Sequence, residues 1–139
     1  MTQAAQTKDL LIAHLKDLHL PTFREGFEEA ARRAQAETLS YEQYLLDLAE
    51  RECQTRRANR IERMLRESKL PLEKTLSALD LKRLPAKVGR QVRTLIEGEF
   101  LDRCENVLVF GRPGSGKTHV LCAVAMELIH QGQIGRAHV

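Results

Sequence analysis

Apolar positions fall at helical spacing over most of the chain. Leu11, Leu15 and Leu18, with Ile12 beside them, share one stripe between Lys8 and His19. Residues 1–6 are small and polar and are expected to form a frayed end. Pro21 interrupts the stripe, and Thr22-Phe23-Arg24-Glu25 then has the form of a capping box. The helix it predicts carries a narrow face of Phe23, Phe27, Ala30 and Ala34, small enough for close packing. Ser40-Tyr41-Glu42-Gln43 is a second capping box and opens the longest helical pattern, running towards Lys69. The first half of that pattern is amphipathic, with Tyr44, Leu45, Leu48 and Ala49 as the expected buried side. From Cys53 to Ile61 there is almost no large apolar residue, and Arg56, Arg60 and Arg63 line one face with Arg57 beside them. Pro71 ends this all-helical stretch. Residues 72–88 suggest an extended connection with apolar anchors, followed by a helix from about Lys87 to Leu101 built on Val88, Val92, Leu95 and Ile96.

The pattern then changes. Asn106-Val107-Leu108-Val109-Phe110 is a short, almost wholly apolar, β-branched run, as expected for a parallel strand buried on both faces. Helical spacing returns after the next glycines, with Val120, Leu121, Val124, Leu128 and Ile129 in a segment free of Gly and Pro. Between the two lies Gly111-Arg112-Pro113-Gly114-Ser115-Gly116-Lys117-Thr118, which fits G-x-x-x-x-G-K-[ST], the phosphate-binding loop of nucleoside-triphosphate enzymes. Each residue type has a physical reason. Gly111, Gly114 and Gly116 allow backbone angles that turn successive N–H groups inward around phosphates. A helix beginning near Lys117 adds unpaired N–H groups and the positive end of its dipole. Lys117 would reach the β- and γ-phosphates of ATP, and the Thr118 hydroxyl would complete a Mg²⁺ shell. Ser115 is small enough not to block the loop. The bland alternative is a Gly/Pro surface turn before a helix that happens to start Lys-Thr. The strand before the loop and the helix after it favour nucleotide binding.

Composition changes this picture little. The chain has 139 residues, 42% hydrophobic and 29% charged, which suits one folded domain or two small ones. Its net charge of +3 permits a nucleic-acid partner without arguing for one. The placement of the arginines therefore matters more than their number. Arg56, Arg60 and Arg63, at i, i+4 and i+7, could track a duplex phosphate strand without reading bases. The usual reading of such a charge run is a solvated face, here partly neutralised by Glu52, Glu62 and Glu67. No aromatic residue interleaves them, so single-strand stacking is unsupported. His14 and His19 suit solvated surface positions. Cys53, Cys104 and Cys122 lack metal-type spacing and look like reduced thiols, Cys122 in a packing role. No apolar stretch approaches the ~20 residues of a membrane span, and Met1–Asp9 lacks a signal-peptide layout. The expected location is cytoplasmic.

From Asn106 to Phe110, and through Gly116-Lys117-Thr118-His119, the chain resembles the Walker A region of IstB-like ATPases, the helper proteins of IstA/IstB-type insertion sequences. DnaC-type helicase loaders share the pattern. His119 directly after the Thr is a feature of that group. The leading leucine-rich helix, the long helix with Glu52, Arg56, Arg57 and Arg60, and Leu70-Pro71 before Lys74-Thr75-Leu76 also resemble the IstB amino-terminal half, so the resemblance runs to about Gly132. Arg112 departs from the family, where Pro is frequent, and Ser115 stands for the more usual Thr. The resemblance implies an α/β P-loop NTPase fold of AAA+ type, truncated after the first strand–loop–helix unit and preceded by an all-α N-terminal domain. It implies ATP and Mg²⁺ as cofactors, with Gly111 to His119 as the nucleotide site and Thr118 on the metal. It also implies double-stranded DNA bound without sequence preference, an IstA-like transposase as partner, and a homo-oligomer for the full-length protein. Arg56, Arg57, Arg60 and Arg63 become candidate DNA contacts, and Leu79–Pro85 could supply part of an adenine pocket.

The expected organisation is a helical domain over 1–70, a linker and helix over 71–105, the first βα unit over 106–132, and a tail over 133–139. That tail, Gln133-Ile134-Gly135-Arg136-Ala137-His138-Val139, lacks the apolar strand expected next and has the look of translated adapter sequence. Hydrolysis needs an acidic pair on a second strand, a water-positioning group and an arginine finger. None follows the loop here, so the expectation is the front part of an ATPase that does not hydrolyse ATP alone. The competing functions are a DnaC-like helicase loader and a non-hydrolysing DNA-binding or interaction module. A small-molecule kinase shares the loop, but the long helical amino-terminal part argues against it.

Overall fold

The computed structural model describes residues 3–133. In chain order the helices are α1 (Gln3–Asp17), α2 (Pro21–Ala36), α3 (Tyr41–Ser68), α4 (Ala86–Glu97), α5 (Glu99–Asp102) and α6 (Lys117–His130), with a 3₁₀ turn at Leu81–Arg83. Contacts divide the chain into two compact units, Met1–Arg60 and Ile61–Val139, the division falling within α3.

In the first unit, α1 begins at Gln3, so most of the stretch expected to fray is helical. Of its apolar stripe Leu15 is buried, while Leu11 and Leu18 remain exposed. The α1–α2 corner is tight. His19 takes a left-handed conformation, φ 55°, and the Leu20 N–H closes onto the Leu15 carbonyl at 2.9 Å. This is the Schellman ending, here with histidine where glycine is usual. Thr38 ends α2 in the same way, at φ 54°, with the Leu39 N–H on Ala34 O at 2.9 Å. The capping box expected at Thr22–Glu25 does not form. Pro21 is itself the first residue of α2, Leu20 is its cap, and no side chain of the segment caps the helix. Proline at that position lacks the N–H that a cap would satisfy. The second box does form. Gln43 N–H donates to Ser40 Oγ at 3.1 Å and Ser40 N–H to Gln43 Oε1 at 2.9 Å.

The helices α2 and α3 meet where Gly26 faces Leu48. Leu48 and Ala30 are each 2% exposed. Tyr44 donates its hydroxyl proton to Phe27 O at 3.1 Å, and Asp47 pairs with Arg33 at 2.6 Å and Arg51 at 3.2 Å. Leu45, expected on the buried side, is exposed.

The second unit is built on α4 and α6. Val92, Val120, Val124 and Leu128 form its buried cluster, and Leu79, Leu81, Leu84, Val88, Leu95, Ile96 and Phe100 pack around them. The connection before α4 is therefore less extended than expected. Asp80 caps the 3₁₀ turn, its Oδ1 accepting from Lys82 N–H at 3.1 Å, which turns Leu81 and Leu84 towards the cluster. The helix expected to reach Leu101 stops at Glu97, because Gly98 adopts φ 79° and α5 restarts on a new axis. Cys122 is buried, as expected, and Cys53 and Cys104 are exposed thiols. At the far end of α6, Gly132 (φ 71°) completes a Schellman ending. Its N–H meets Ile129 O at 2.9 Å and Gln133 N–H meets Leu128 O at 3.1 Å. Residues 134–139, which hold most of the suspected tail, lie outside the described residues.

Asn106–Phe110, expected as a strand, is not one, and no strand occurs among the described residues, so these do not show the α/β unit. Leu108 and Phe110 are 77% and 88% exposed rather than buried. A strand exists only as one side of a hydrogen-bonded ladder, and no described segment supplies the other side. The apolar side chains of Val107–Phe110 instead border an open groove of about 500 Å³ against Val88, Val92 and Leu95 of α4. No helix among the described residues is long and apolar enough to cross a membrane.

Candidate functional site

The loop after Phe110 has the backbone its sequence demands. Gly114 and Gly116 have φ of 76° and 89°, angles that an L side chain resists. Ser115 N–H donates to Arg112 O at 3.1 Å, closing a turn around Pro113 and Gly114. At Gly111 the constraint is space, since a Cβ there would stand 2.7 Å from Ser115 Oγ and the hydroxyl would have to move.

Gly116 is the N-cap of α6, and no side chain caps the helix. The first intrahelical bond runs from Val120 N–H to Gly116 O at 3.0 Å. The N–H groups of Lys117, Thr118 and His119 thus lie in the first turn, where a helix has no acceptor of its own to offer. Together with the helix dipole they make a place for an anion.

Lys117 folds back over the loop. Its Nζ donates to Gly111 O at 2.5 Å and Arg112 O at 3.0 Å. The ammonium is therefore held on the loop's own carbonyls, and an incoming phosphate would replace those two as its partners. Arg112, Pro113 and Thr118 are exposed at the mouth. His119 points elsewhere. Its Nε2 is 3.0 Å from the carbonyl of Thr75, 44 residues earlier in the chain. A carbonyl can only accept, so Nε2 carries the proton. Nothing in the residue pattern signalled this contact. Leu79, Leu81 and Leu84, raised as part of an adenine pocket, are partly buried and pack against the buried cluster.

The arginine-bearing face of α3 divides into different environments. Arg56 is engaged twice, Nη2 donating to His19 O at 2.6 Å and Nε to Glu52 Oε1 at 3.1 Å. Glu52, only 4% exposed, accepts the Thr22 N–H on its other oxygen at 2.9 Å. A carboxylate on α3 thus does what the absent capping box would have done, satisfying the start of α2, while Arg56 holds the end of α1. Burial pushes the Glu52 carboxyl up, but the hydrogen bonds from Thr22 and Arg56 and the Arg56 charge outweigh it, leaving it below the usual range. Arg57 and Arg60 are exposed, and Arg63 is paired loosely with Glu67 at 4.0 Å. Glu52 was legible only as a neutralising charge, because its partner N–H lies 30 residues away.

Comparison with known proteins agrees with this local chemistry. The chain is 35% identical over 125 residues to an insertion-sequence ATP-binding protein of Geobacillus stearothermophilus, covering 90% of this chain and 50% of that protein. It is 36% identical over 119 residues to one of Sinorhizobium fredii, covering 85% and 40%. A third, from Pseudomonas aeruginosa, is 32% identical over 124 residues, covering 89% and 46%. The chain thus spans about half the length of these relatives or less. The family model described as IstB-like ATP binding protein matches residues 13–136, which takes in both helical units and the phosphate loop. By that match, over most of its length, the chain belongs to the IstB-like ATP binding protein family.

Proposed function

We propose that this chain is the ATP-binding amino-terminal portion of a transposition helper, which binds double-stranded DNA and serves an IstA-like transposase. The observation that carries the nucleotide reading is the uncapped start of α6 behind two left-handed glycines, with Lys117 bonded to the loop carbonyls. The residues present fit a triphosphate. The Gly114–Gly116 backbone and the first-turn N–H groups would take its oxygens, Lys117 would neutralise its terminal phosphates, and the Thr118 hydroxyl would join the shell of its Mg²⁺. The bound metal would supply charge neutralisation at the phosphates. Transfer of the terminal phosphoryl group needs further groups on neighbouring strands, so the proposed role of this portion is binding rather than hydrolysis. In the full-length protein such a subunit would act as an oligomeric ATPase.

The DNA-binding part of the proposal rests on the exposed guanidinium groups of α3. Arg57, Arg60 and Arg63 are exposed on α3 and are the candidate phosphate contacts, with Arg56 positioning the α1–α2 corner. The test is direct binding of a fluorescent ATP analogue with Mg²⁺ to the chain and to Lys117→Ala. Loss of binding with unchanged helicity in the variant is the expected result, and equal affinity would end the phosphate-loop assignment.

A further inference from the structure

The imidazole of His119 ties the phosphate loop to the connection that follows α3. We propose that His119 is a positioning residue through which occupancy of the loop is transmitted to the linker around Thr75, an inference that rests on the nucleotide reading above.

Three observations carry it. The first is the bond itself, from His119 Nε2 to Thr75 O at 3.0 Å, made by the third residue of α6. That residue also bears one of the first-turn N–H groups available to a phosphate. The same backbone atoms that would settle around an anion therefore carry the side chain that holds the linker. Second, Thr75 sits in a preformed turn. Its Oγ1 lies 3.0 Å from Ser77 Oγ and accepts the Ala78 N–H at 3.2 Å, while Leu79 N–H donates to Leu76 O at 3.2 Å. The carbonyl is thus presented by a small rigid piece, and a pull on it moves the piece as a whole. Third, Thr75, Leu76 and Ser77 border an open cleft of about 440 Å³ together with Ala123, Met126, Glu127 and His130 of α6. The turn meets solvent on this side, where the His119 bond adds a polar tie to the helix.

Binding of a phosphate chain draws Lys117 away from Gly111 O and Arg112 O and orders the first turn of α6. The His119 ring is ordered with it, and the Thr75 turn is held more firmly. Amide hydrogen exchange reads this directly, because Ala78 and Leu79 N–H are bonded within the turn. In the 139-residue chain, saturating Mg·ATP should slow exchange both in the loop, 111–118, and in the turn, 74–79. The turn should slow about fivefold, the effect of one ordinary hydrogen bond. His119→Ala keeps the backbone N–H and removes only the imidazole, so wherever its loop is protected by ATP the turn should not respond. His119→Gln, whose amide N–H can reach the same carbonyl, should restore part of the response.

A loop protected by ATP beside an indifferent turn in the natural chain would overturn the inference while leaving nucleotide binding intact. So would a turn response that survives in His119→Ala. Absence of protection at the loop itself would remove the nucleotide reading and this inference with it. Should His119→Ala lose ATP binding, Thr75→Val decides the matter. It removes the Oγ1 bonds that orient the turn, the Ala78 acceptor among them, so the response is read at Leu79 N–H, which is bonded to Leu76 O: a weakened Leu79 response with a protected loop supports the relay, and a full one refutes it.

Discussion

Changing Glu52 to Gln keeps the side-chain shape and removes one charge at the point where three helices of the first unit meet. The carboxylate accepts the Thr22 N–H at the start of α2 and the Arg56 Nε–H from its own helix, at 2.9 and 3.1 Å. A hydrogen bond to a buried charged group contributes about 1.5–3 kcal/mol. Favourable charge at a helix N-terminus adds about 0.3–1 kcal/mol. The Arg56 ion pair adds at most about 1 kcal/mol, because the guanidinium is more than half exposed. Glutamine keeps one acceptor for Thr22 but turns its NH₂ towards the guanidinium, two donors facing each other. A net loss of about 2 kcal/mol follows, which for a unit of this size lowers the melting temperature by about 10 °C. Glu52→Ala should lose about 3 kcal/mol, since the Thr22 N–H is then left without its acceptor.

The pH dependence has a definite sign. The folded carboxyl lies below its ordinary value, so its contribution is complete above the unfolded pKa, about 4.3, and fades as pH falls through the folded one. Thermal unfolding of the natural chain and Glu52→Gln, followed by circular dichroism at pH 7 and in steps down to about pH 3, measures both effects. The two curves should be well separated at neutral pH and converge in acid. Equal stability at pH 7, or a gap that does not narrow in acid, would refute the reasoning.

Other consequences are simpler to check. Thr38 holds a left-handed angle that β-branched residues resist, so Thr38→Gly should stabilise the chain by about 1 kcal/mol, seen as a higher urea midpoint. Gly116→Ala must accept φ 89° and should cost about 1–2 kcal/mol, with loss of ATP-analogue binding in the same titration as Lys117→Ala. Leu128→Ala opens a hole in the α4–α6 cluster, where the leucine is 2% exposed, and should cost about 2–5 kcal/mol by urea unfolding. If the exposed arginines of α3 hold duplex DNA, Arg57→Ala with Arg63→Ala should flatten the dependence of log affinity on log salt by about 2. An unchanged slope would exclude them.

Much of the local chemistry was legible where its cause lies within a few residues, although the Thr22–Glu25 box and the helix end at Gly98 were not. The Ser40–Gln43 capping box, the glycines of the phosphate loop, the start of α6 at Lys117 and the burial of Leu15, Leu48, Val92 and Val124 all follow from neighbours within one or two helical turns. Tertiary structure decided what depends on distant partners. Thr22 could not be recognised as capped by Glu52, nor Arg56 as the donor to His19 O, because those groups meet only once α3 packs across the α1–α2 corner. His119 could be placed in the nucleotide motif but not on the Thr75 carbonyl for the same reason. Asn106–Phe110 marks the opposite limit. Its composition determines a preference for a strand, but a strand requires backbone hydrogen bonds from a neighbour, and among the described residues no neighbour forms that ladder. A helix closes its hydrogen bonds within its own sequence, whereas a strand, a distant cap or a bridging side chain gets its partner only from the folded chain.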